Sequence, residues 1–449
     1  MTTEPASLRQ KLFNTKGDGE YRQVLRKAQD YISKSLSNVS VDDLDEVQMK
    51  EIIVKYITDF RVKCSLTSDV TELANYIYHD MSGYSFISRE KIFEMEGFEE
   101  LNINSWDKIT LQVKGKKLDT DHRFLDELHA NNVIERMLRK TGTVFDNAMP
   151  RATAEIQNGV RICTLKPPIT DKECGVCASI RKVTIIAHNQ GSLVETCTLT
   201  EDMLELLNLC LMCGASMCIS GETGSGKTTL AGGLLNRMAD YKRIITIEEA
   251  AREWNFIKRD GDGKIINDIV HLKTRPSDDP KLNITQEDLV KDALRLDPDI
   301  ISPSEIRGQE AFEVIGAANT GHTIITTVHS NSARDTPTRI INLAKKAFDM
   351  SDHTLLSMAV KAFPILVHLV KLPDGTRKVR EIVETLGYNN GIVDYQTLYE
   401  FQVTDNIYDD NDVCIHTEGH FTKVHGISEN LAQTLLFKGA RRSQIEKFT

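Results

Sequence analysis

The sequence predicts an α/β protein in which a large domain with a mainly parallel sheet follows a small α+β domain and an N-terminal helical segment. Residues 221–228 read Gly-Glu-Thr-Gly-Ser-Gly-Lys-Thr, which fits the G-x-x-x-x-G-K-[ST] pattern of a phosphate-binding loop. From residue 200 onward, short apolar segments alternate with helical ones, as in proteins with parallel sheets. Between residues 82 and 186 the segments are short, alternating and rich in β-branched residues.

The composition is that of an ordinary globular chain. Of the 449 residues, 40% are hydrophobic and 27% are charged, which suits two or three domains. The net charge of −10 argues against extensive nucleic-acid contact, so no stable direct nucleic-acid binding is expected. No apolar run is long enough for a membrane span and no signal sequence opens the chain. We therefore expect a cytoplasmic protein whose membrane contact is peripheral and made through partners.

The first 81 residues are the predicted helical segment. Apolar residues recur at helical spacing after a polar lead-in, namely Tyr21, Val24, Leu25 and Ala28. Further helices are expected at 47–56 and 73–81, which together would form a three-helix bundle.

Residues 82–186 are the predicted α+β domain. An amphipathic helix is expected over 125–141, and strands are expected at 101–103, 109–113, 154–156, 160–165 and 179–185. Residues 187–199, which include His-Asn-Gln-Gly-Ser, are the predicted linker. The large α/β domain then occupies residues 200–449, with weak strand signals after residue 379.

The phosphate-binding loop lies between an expected strand at 215–220 and a helix that begins near Thr229. Gly221, Gly224 and Gly226 leave the backbone N–H groups open to a phosphate. Lys227 supplies a positive charge, and the Thr228 hydroxyl is an expected Mg²⁺ ligand. The predicted nucleotide-binding residues here are Gly221, Glu222, Thr223, Gly224, Ser225, Gly226, Lys227, Thr228 and Thr229. ATP and Mg²⁺ are the expected cofactors.

Two acidic segments end apolar runs downstream of the loop. Glu248 and Glu249 follow the run at 244–247, and Glu305 follows the run at 300–302. Carboxylates at these positions are suited to hold a metal ion or to orient water, so Glu305 is the leading catalytic candidate and Glu248 the second.

His322 and His329 flank the apolar run at 323–328. We expect them to act on the γ-phosphate or toward a neighbouring subunit. Two Cys-x-x-Cys pairs, at 174–177 and 210–213, have the form of a zinc site. Because the second pair lies in a strongly apolar run, buried thiols are the preferred interpretation.

These motifs, taken together, resemble the type II/IV secretion superfamily ATPases, with the greatest similarity to Tad-pilus (CpaF-like) assembly ATPases. The resemblance is specific over residues 215–335 and looser elsewhere in residues 100–449. It rests on the phosphate-binding loop, Ile-Glu-Glu at 247–249, Thr-Arg-Pro at 274–276, Glu-Ile-Arg at 305–307, Asn-Thr-Gly-His at 319–322 and Thr-Thr-Val-His at 326–329. Asn-Gly-Val-Arg at 158–161 and Ser-Ile-Arg-Lys at 179–182 resemble motifs of the family's N-terminal domain.

The resemblance implies a RecA-like P-loop NTPase domain in a homo-hexameric ring, working with an inner-membrane platform protein of a pilus or secretion machine. It makes Glu305 the Walker B acid, and it makes Arg161 and Arg181 the arginines that approach the phosphates. Arg275 and Arg307 are expected to act between subunits or as phosphate sensors. Glu249 departs from the family, which often has Asp there.

Three alternatives stay open at this point. A conjugative type IV secretion ATPase would use the same core for DNA transfer. A nucleic-acid translocase is opposed by the acidic balance and by the lack of a basic and aromatic stripe. A nucleotide-binding scaffold without hydrolysis is opposed by the presence of Lys227, Thr228, Glu248 and Glu305.

Overall fold

The computed structural model describes residues 15–35, 45–113, 116–157, 159–182, 192–249, 254–276, 281–346, 350–389 and 391–449. The chain divides into two compact units between residues 184 and 185. Residues 187–191 of the predicted linker lie outside the described residues, and residues 192–195 form a short helix. No described helix combines the length and the apolar character that a membrane span requires.

The first unit begins with three helices: α1 (Thr15–Ser35), α2 (Glu46–Asp59) and α3 (Val70–Met81). Asp45 and Asp69 cap α2 and α3 by accepting hydrogen bonds from backbone N–H groups of the first turn. The apolar faces of the three helices share one core, which contains Tyr21, Leu25, Ile53, Ile57, Leu73 and Ile77.

An antiparallel six-stranded sheet completes the first unit, in the order β3-β2-β1-β6-β5-β4. Its strands are β1 (Phe98–Ile103), β2 (Ile109–Val113), β3 (Lys116–Asp119), β4 (Arg151–Gln157), β5 (Val160–Leu165) and β6 (Cys177–Lys182). Helices α4 (Phe86–Arg89) and α5 (Glu127–Arg139) and a 3₁₀ turn (Ile92–Glu94) accompany it. One sheet face packs on α5, while β3 is exposed along its length, which is why its sequence shows no strand periodicity.

A buried polar cluster around Asp80 joins the helices to the sheet. The carboxylate of Asp80 accepts hydrogen bonds from the Tyr21 hydroxyl at 2.7 Å and the Ser85 hydroxyl at 2.6 Å. Arg136 on α5 donates to the backbone carbonyls of Asp80, Met81 and Gly83 at 2.6–3.1 Å. The helical segment and the α+β domain, which the sequence predicts as separate parts, fall in one compact unit that ends at residue 184.

The second unit is built on a nine-stranded sheet in the order β15-β14-β13-β12-β7-β11-β10-β8-β9. Its strands are β7 (Met217–Gly221), β8 (Ile244–Glu248), β9 (Ile269–Lys273), β10 (Ile300–Pro303), β11 (Thr323–Val328), β12 (Ile365–Lys371), β13 (Arg377–Asn389), β14 (Ile392–Tyr408) and β15 (Cys414–Lys423). Strands β7 to β12 are mutually parallel, and β13 to β15 continue the sheet antiparallel. This confirms the α/β class and the mainly parallel sheet.

Helices cover both faces of this sheet. They are α6 (Ser192–Glu195), α7 (Glu201–Met212), α8 (Lys227–Asn236), α9 (Gln286–Ala293), α10 (Ala311–Asn319), α11 (Thr336–Ala344), α12 (Asp352–Ala362), α13 (Glu429–Phe437) and α14 (Arg442–Ile445). Two separate cores result, one with α7, α8 and α13 and one with α9 to α12. Both elements that flank the phosphate-binding loop, β7 and α8, therefore lie in the best-packed part of the chain.

The Tyr21 hydroxyl provides a test of the polar cluster. Tyr21→Phe leaves one buried carboxylate oxygen of Asp80 without this donor, so we expect a stability loss of about 1–3 kcal/mol in the first unit. Hydrogen exchange of the full chain should show faster exchange in α1 and α3. Tyr31→Phe on the same helix is the matched control and should leave exchange there unchanged. Equal protection in both variants would show that the cluster does not hold the helices.

Candidate nucleotide site

The phosphate-binding loop connects β7, which is buried along its length, to α8. Gly221, Gly224 and Gly226 have φ angles of 150°, 77° and 98°, a region that residues with a Cβ rarely adopt. A Cβ at Gly221 would collide with the carbonyl oxygen of Leu369 on β12. Backbone conformation at all three positions, and lack of space at Gly221, thus favour glycine, as a backbone cradle for phosphate requires.

Lys227 is the first residue of α8 and folds back over the loop. Its Nζ donates to the carbonyls of Gly221 at 2.9 Å and Glu222 at 2.8 Å, and lies 3.3 Å from Nδ1 of His329. Burial lowers the pKa of Lys227 from its usual value; the Glu305 carboxylate opposes this shift and Arg307 adds to it. The ammonium is hydrogen-bonded to two neutral backbone carbonyls, so a phosphate would be a stronger partner.

Glu305 lies in the loop after β10 and faces Arg307 and His329. Its Oε2 accepts a hydrogen bond from Arg307 at 2.7 Å, and its Oε1 lies 3.2 Å from Nε2 of His329. Nδ1 of His329 lies 3.3 Å from Nζ of Lys227 and 3.1 Å from the carbonyl oxygen of Gly221, so it accepts from the lysine when it carries no proton and donates to the carbonyl when it carries one. His329 at the end of β11 therefore links the loop lysine to the acidic residue.

Arg307 is held in place from both sides. Its second terminal nitrogen donates to Glu249 at 3.0 Å, and its backbone N–H donates to Glu310 at 2.6 Å. Burial by itself would raise the pKa of Glu305, but the hydrogen bond and charge of Arg307, with His329 and Lys227, lower it below its usual value. Glu305 is thus kept ionised, as a metal ligand or a water-orienting carboxylate must be.

Glu248 has a different environment from Glu305. Its side chain is 2% exposed, and Oε1 accepts a hydrogen bond from the Trp254 backbone N–H at 3.1 Å. The Trp254 indole in turn donates to the carbonyl of Thr228 at 3.2 Å. These contacts make Glu248 a support for the first turn of α8 and favour Glu305 as the residue that reaches water.

His322 and His329 lie at opposite ends of β11, as the sequence predicts from the apolar run between them. His329 follows the carboxyl end of β11, beside Lys227, whereas His322 precedes its amino end, with Nδ1 3.4 Å from the Thr320 hydroxyl. Six residues of strand separate them by about 20 Å. The action of His322 toward a neighbouring subunit stays a prediction.

Three predicted arginines lie outside this network. Arg161 on β5 is directly opposite Arg181 on β6, and the pair is flanked by Glu155 and Glu100 on the outer strands. Their approach to the phosphates stays a prediction, because both belong to the first unit. Arg275 is exposed, and its backbone pairs with Ile284 in the loop after β9.

The cysteine pairs show no shared metal site among the described residues. Cys210 and Cys213 are buried in α7 and at its end, and burial raises the pKa of both thiols. This agrees with the preferred interpretation of the second pair as apolar core residues.

Several residues that support the site are not visible in local sequence patterns. Glu310 accepts hydrogen bonds from the backbone N–H groups of Arg307 and Gly308 and so shapes the loop after Glu305. Arg377, which lies 153 residues after Gly224 in the sequence, donates a hydrogen bond from Nε to the Gly224 carbonyl at 2.8 Å. Only the pairing of β12 with β7 and of β13 with β12 brings Arg377 to this place.

The residues present fit a nucleotide with Mg²⁺. The buried Ser225 hydroxyl has no hydrogen-bond partner among the described residues, and the loop glycines leave a cradle open. The Thr228 hydroxyl and the Glu305 carboxylate offer oxygen ligands, which Mg²⁺ prefers, together with phosphate oxygens and water.

The lowered pKa of Glu305 gives a pH prediction. The pairing of Glu305 with Arg307 adds stability while Glu305 is ionised. This stability is present above the pKa of about 4.3 that Glu305 has in the unfolded chain, and it is lost as the pH falls through the lower pKa of Glu305 in the folded protein. Arg307→Gln should therefore lower the melting temperature clearly at pH 7 and progressively less below pH of about 4.5. Arg295→Gln, which removes an exposed ion pair to Asp292, is the control. A difference that grows toward low pH would contradict this assignment.

The chain is similar to known proteins of secretion and conjugal transfer systems. The model of the type II/IV secretion system protein family matches residues 150–378, just over half of the chain. A putative conjugal transfer protein of Mycobacterium tuberculosis is 24% identical over 330 residues, which cover 71% of this chain and 89% of the relative. The type IV secretion system protein VirB11 of Bartonella quintana is 29% identical over 209 residues, covering 44% of this chain and 53% of VirB11.

Among solved structures, the ATPase DotB of Legionella pneumophila is similar with a TM-score of 0.48 and 18% identity, over 68% of this chain and 81% of DotB. The second unit places its phosphate-binding loop between β7 and α8 of a mainly parallel sheet, as the sequence predicts. Because the family model matches more than half of its residues, the chain belongs to the type II/IV secretion system protein family.

Proposed function

We propose that this protein is an ATP-hydrolysing motor of a secretion or pilus-assembly machine. The observation that carries this proposal is the convergence of Lys227, His329 and Glu305 at the phosphate-binding loop. A loop lysine and an ionised carboxylate on neighbouring strand ends are what phosphoryl transfer to water requires. A scaffold that only binds nucleotide would have no need of the second group.

The loop would hold the phosphates through its backbone N–H groups and the amino end of α8. Lys227 would exchange the carbonyls of Gly221 and Glu222 for β- and γ-phosphate oxygens, and His329 would be freed from Lys227. Thr228 and Glu305 would hold Mg²⁺, which neutralises charge on the phosphates when it is bound.

Glu305 would then orient the attacking water, because its carboxylate is ionised and lies next to the lysine that marks the phosphate position. Arg307 keeps the carboxylate charged and, with Glu249, limits its movement. Glu248 would act indirectly, by holding Trp254 against the first turn of α8.

The working particle we propose is a homo-hexamer, peripheral at the inner face of the cell membrane through a platform protein. ATP would lie between the two lobes, with Arg161 and Arg181 on the N-terminal lobe approaching the phosphates. An arginine on a separate lobe would offset charge in the transition state and couple hydrolysis to lobe movement. Arg275, and His322 at the far end of β11, would act toward a neighbouring subunit.

Two machines remain candidates for this motor. The Thr-Arg-Pro motif at 274–276 supports assembly of a Tad-like (CpaF-like) pilus. The name of the mycobacterial relative, a putative conjugal transfer protein, supports conjugative secretion instead. Neighbouring genes would distinguish them, since a pilin and platform protein indicate a pilus and a relaxase with a coupling protein indicates conjugation.

Paired variants test hydrolysis. Lys227→Ala should weaken ATP binding and abolish phosphate release. Glu305→Gln should bind ATP with near-normal affinity and lose about 10²- to 10⁴-fold in kcat, because the water-orienting carboxylate is gone. Both should be assayed as assembled particles with Mg²⁺-ATP and membrane partner. Normal turnover in either variant would remove that residue from the site, and a wild type that releases no phosphate would favour the scaffold.

A variant in the first unit tests the contact between lobes. Arg181→Ala should lower kcat by about 10²-fold while the nucleotide affinity of the folded second unit changes little. Arg151→Ala, on the outermost strand of the same sheet, is the matched control and should keep its rate. If Arg181→Ala hydrolyses ATP as fast as this control, Arg181 does not approach the phosphates.

A further inference from the structure

The hairpin of β12 and β13 runs beside the phosphate-binding loop. β12 is parallel to β7, with Leu369 opposite Gly221, the first residue of the loop. The chain then turns and begins β13 at Arg377, which pairs with Lys371. This pairing carries Arg377 back to the loop.

Arg377 contacts the loop in two ways. Its Nε donates a hydrogen bond to the carbonyl of Gly224 at 2.8 Å, and its Cδ would lie 3.2 Å from a Cβ placed on Gly226. Among the described residues, no carboxylate forms an ion pair with its guanidinium. The exposed guanidinium of Arg377 thus lies against Gly224 and Gly226, the two loop glycines with φ of 77° and 98°.

The bonded carbonyl belongs to the peptide unit between Gly224 and Ser225. In a trans peptide the N–H points opposite to the C=O, so an anchored Gly224 carbonyl fixes the direction of the Ser225 N–H. That N–H now reaches the carbonyl of Glu222 at 3.3 Å, which is long for an N–H···O bond. The Ser225 N–H is therefore only weakly hydrogen-bonded, and it lies in the loop where phosphate is expected.

We propose that Arg377 is a positioning residue of the phosphate-binding loop, which holds the Gly224–Ser225 peptide so that the Ser225 N–H faces the nucleotide phosphates. This inference rests on the proposed function, in which those phosphates occupy the loop. A charged donor on the carbonyl also polarises the peptide and strengthens its N–H as a donor. Arg377 acts through the backbone and has no role in orienting water.

This role is separable from general stability. Arg377 is exposed, so its removal opens no cavity, and the contact of the Leu369 carbonyl with Gly221 stays in place. The role predicts a selective effect on phosphate binding, with KM changed and kcat kept.

The test compares Arg377→Ala and Arg377→Lys with wild type in the full chain. ADP affinity is measured with a fluorescent ADP, and KM and kcat with Mg²⁺-ATP. Arg377→Ala should raise both the ADP Kd and the ATP KM about tenfold, with kcat within about twofold and an unchanged melting temperature. Arg377→Lys should restore part of the affinity, because an ammonium can still donate to the Gly224 carbonyl. Arg339→Ala, an exposed arginine on α11, is the control for loss of one charge.

An unchanged ADP Kd in both Arg377 variants, or an effect no larger than that of Arg339→Ala, would overturn the inference. A lower kcat with unchanged Kd would overturn it as well. Lys227→Ala, measured in parallel, separates this result from the proposed function. If Lys227→Ala loses ADP and the Arg377 variants do not, only the role of Arg377 fails; if Lys227→Ala binds ADP normally, the loop is not the nucleotide site.

Discussion

The close approach of β12 to Gly221 is the constraint on which the nucleotide site depends. Leu369 presents its carbonyl oxygen where any side chain on Gly221 would lie, so strand and loop pack backbone against backbone. β11 lies on the other side of β7 and ends at Val328, just before His329. Three adjacent parallel strands therefore end together, and the loop, the histidine and the hairpin with Arg377 meet there without help from flexible segments.

The charged side chains at this site contact one another or backbone carbonyls. Lys227 donates hydrogen bonds to two backbone carbonyls, and Arg307 donates to both Glu305 and Glu249. Glu305 also lies beside His329. Every one of these contacts involves a group that a bound triphosphate would attract or repel. Nucleotide entry would therefore rearrange a connected set of partners, and the same set links the loop on β7 with the acidic residue after β10.

The sequence predicts four of the six parallel strands, β7, β8, β10 and β11, to within two residues at their ends, and it does not predict β9 or β12. The strands Ile244–Glu248 and Thr323–Val328 are buried on both faces, so they appear as continuous apolar runs. β14 and β15 are largely exposed and interrupted by irregular pairing, so their alternation of apolar and polar residues is weak despite their length.

The candidate site likewise contains residues that local motifs predict and residues that they do not. The glycines, Lys227 and Glu305 are found from motif spacing, but Arg377 and Glu310 depend on long-range pairing and on a side chain that caps a loop. His322 and His329 lie at opposite ends of β11, about 20 Å apart, as the apolar run between them indicates.

The polar cluster at Asp80 has a consequence for how this protein can be divided. Arg136 donates three hydrogen bonds to carbonyls at and just after the end of α3, and Asp80 collects two hydroxyl donors. A shortened chain that starts after residue 84 would keep the guanidinium inside the fold and remove all of its acceptors. The helices at the start of the chain are therefore an integral part of the unit that carries Arg161 and Arg181, and a minimal version of this protein has to retain them.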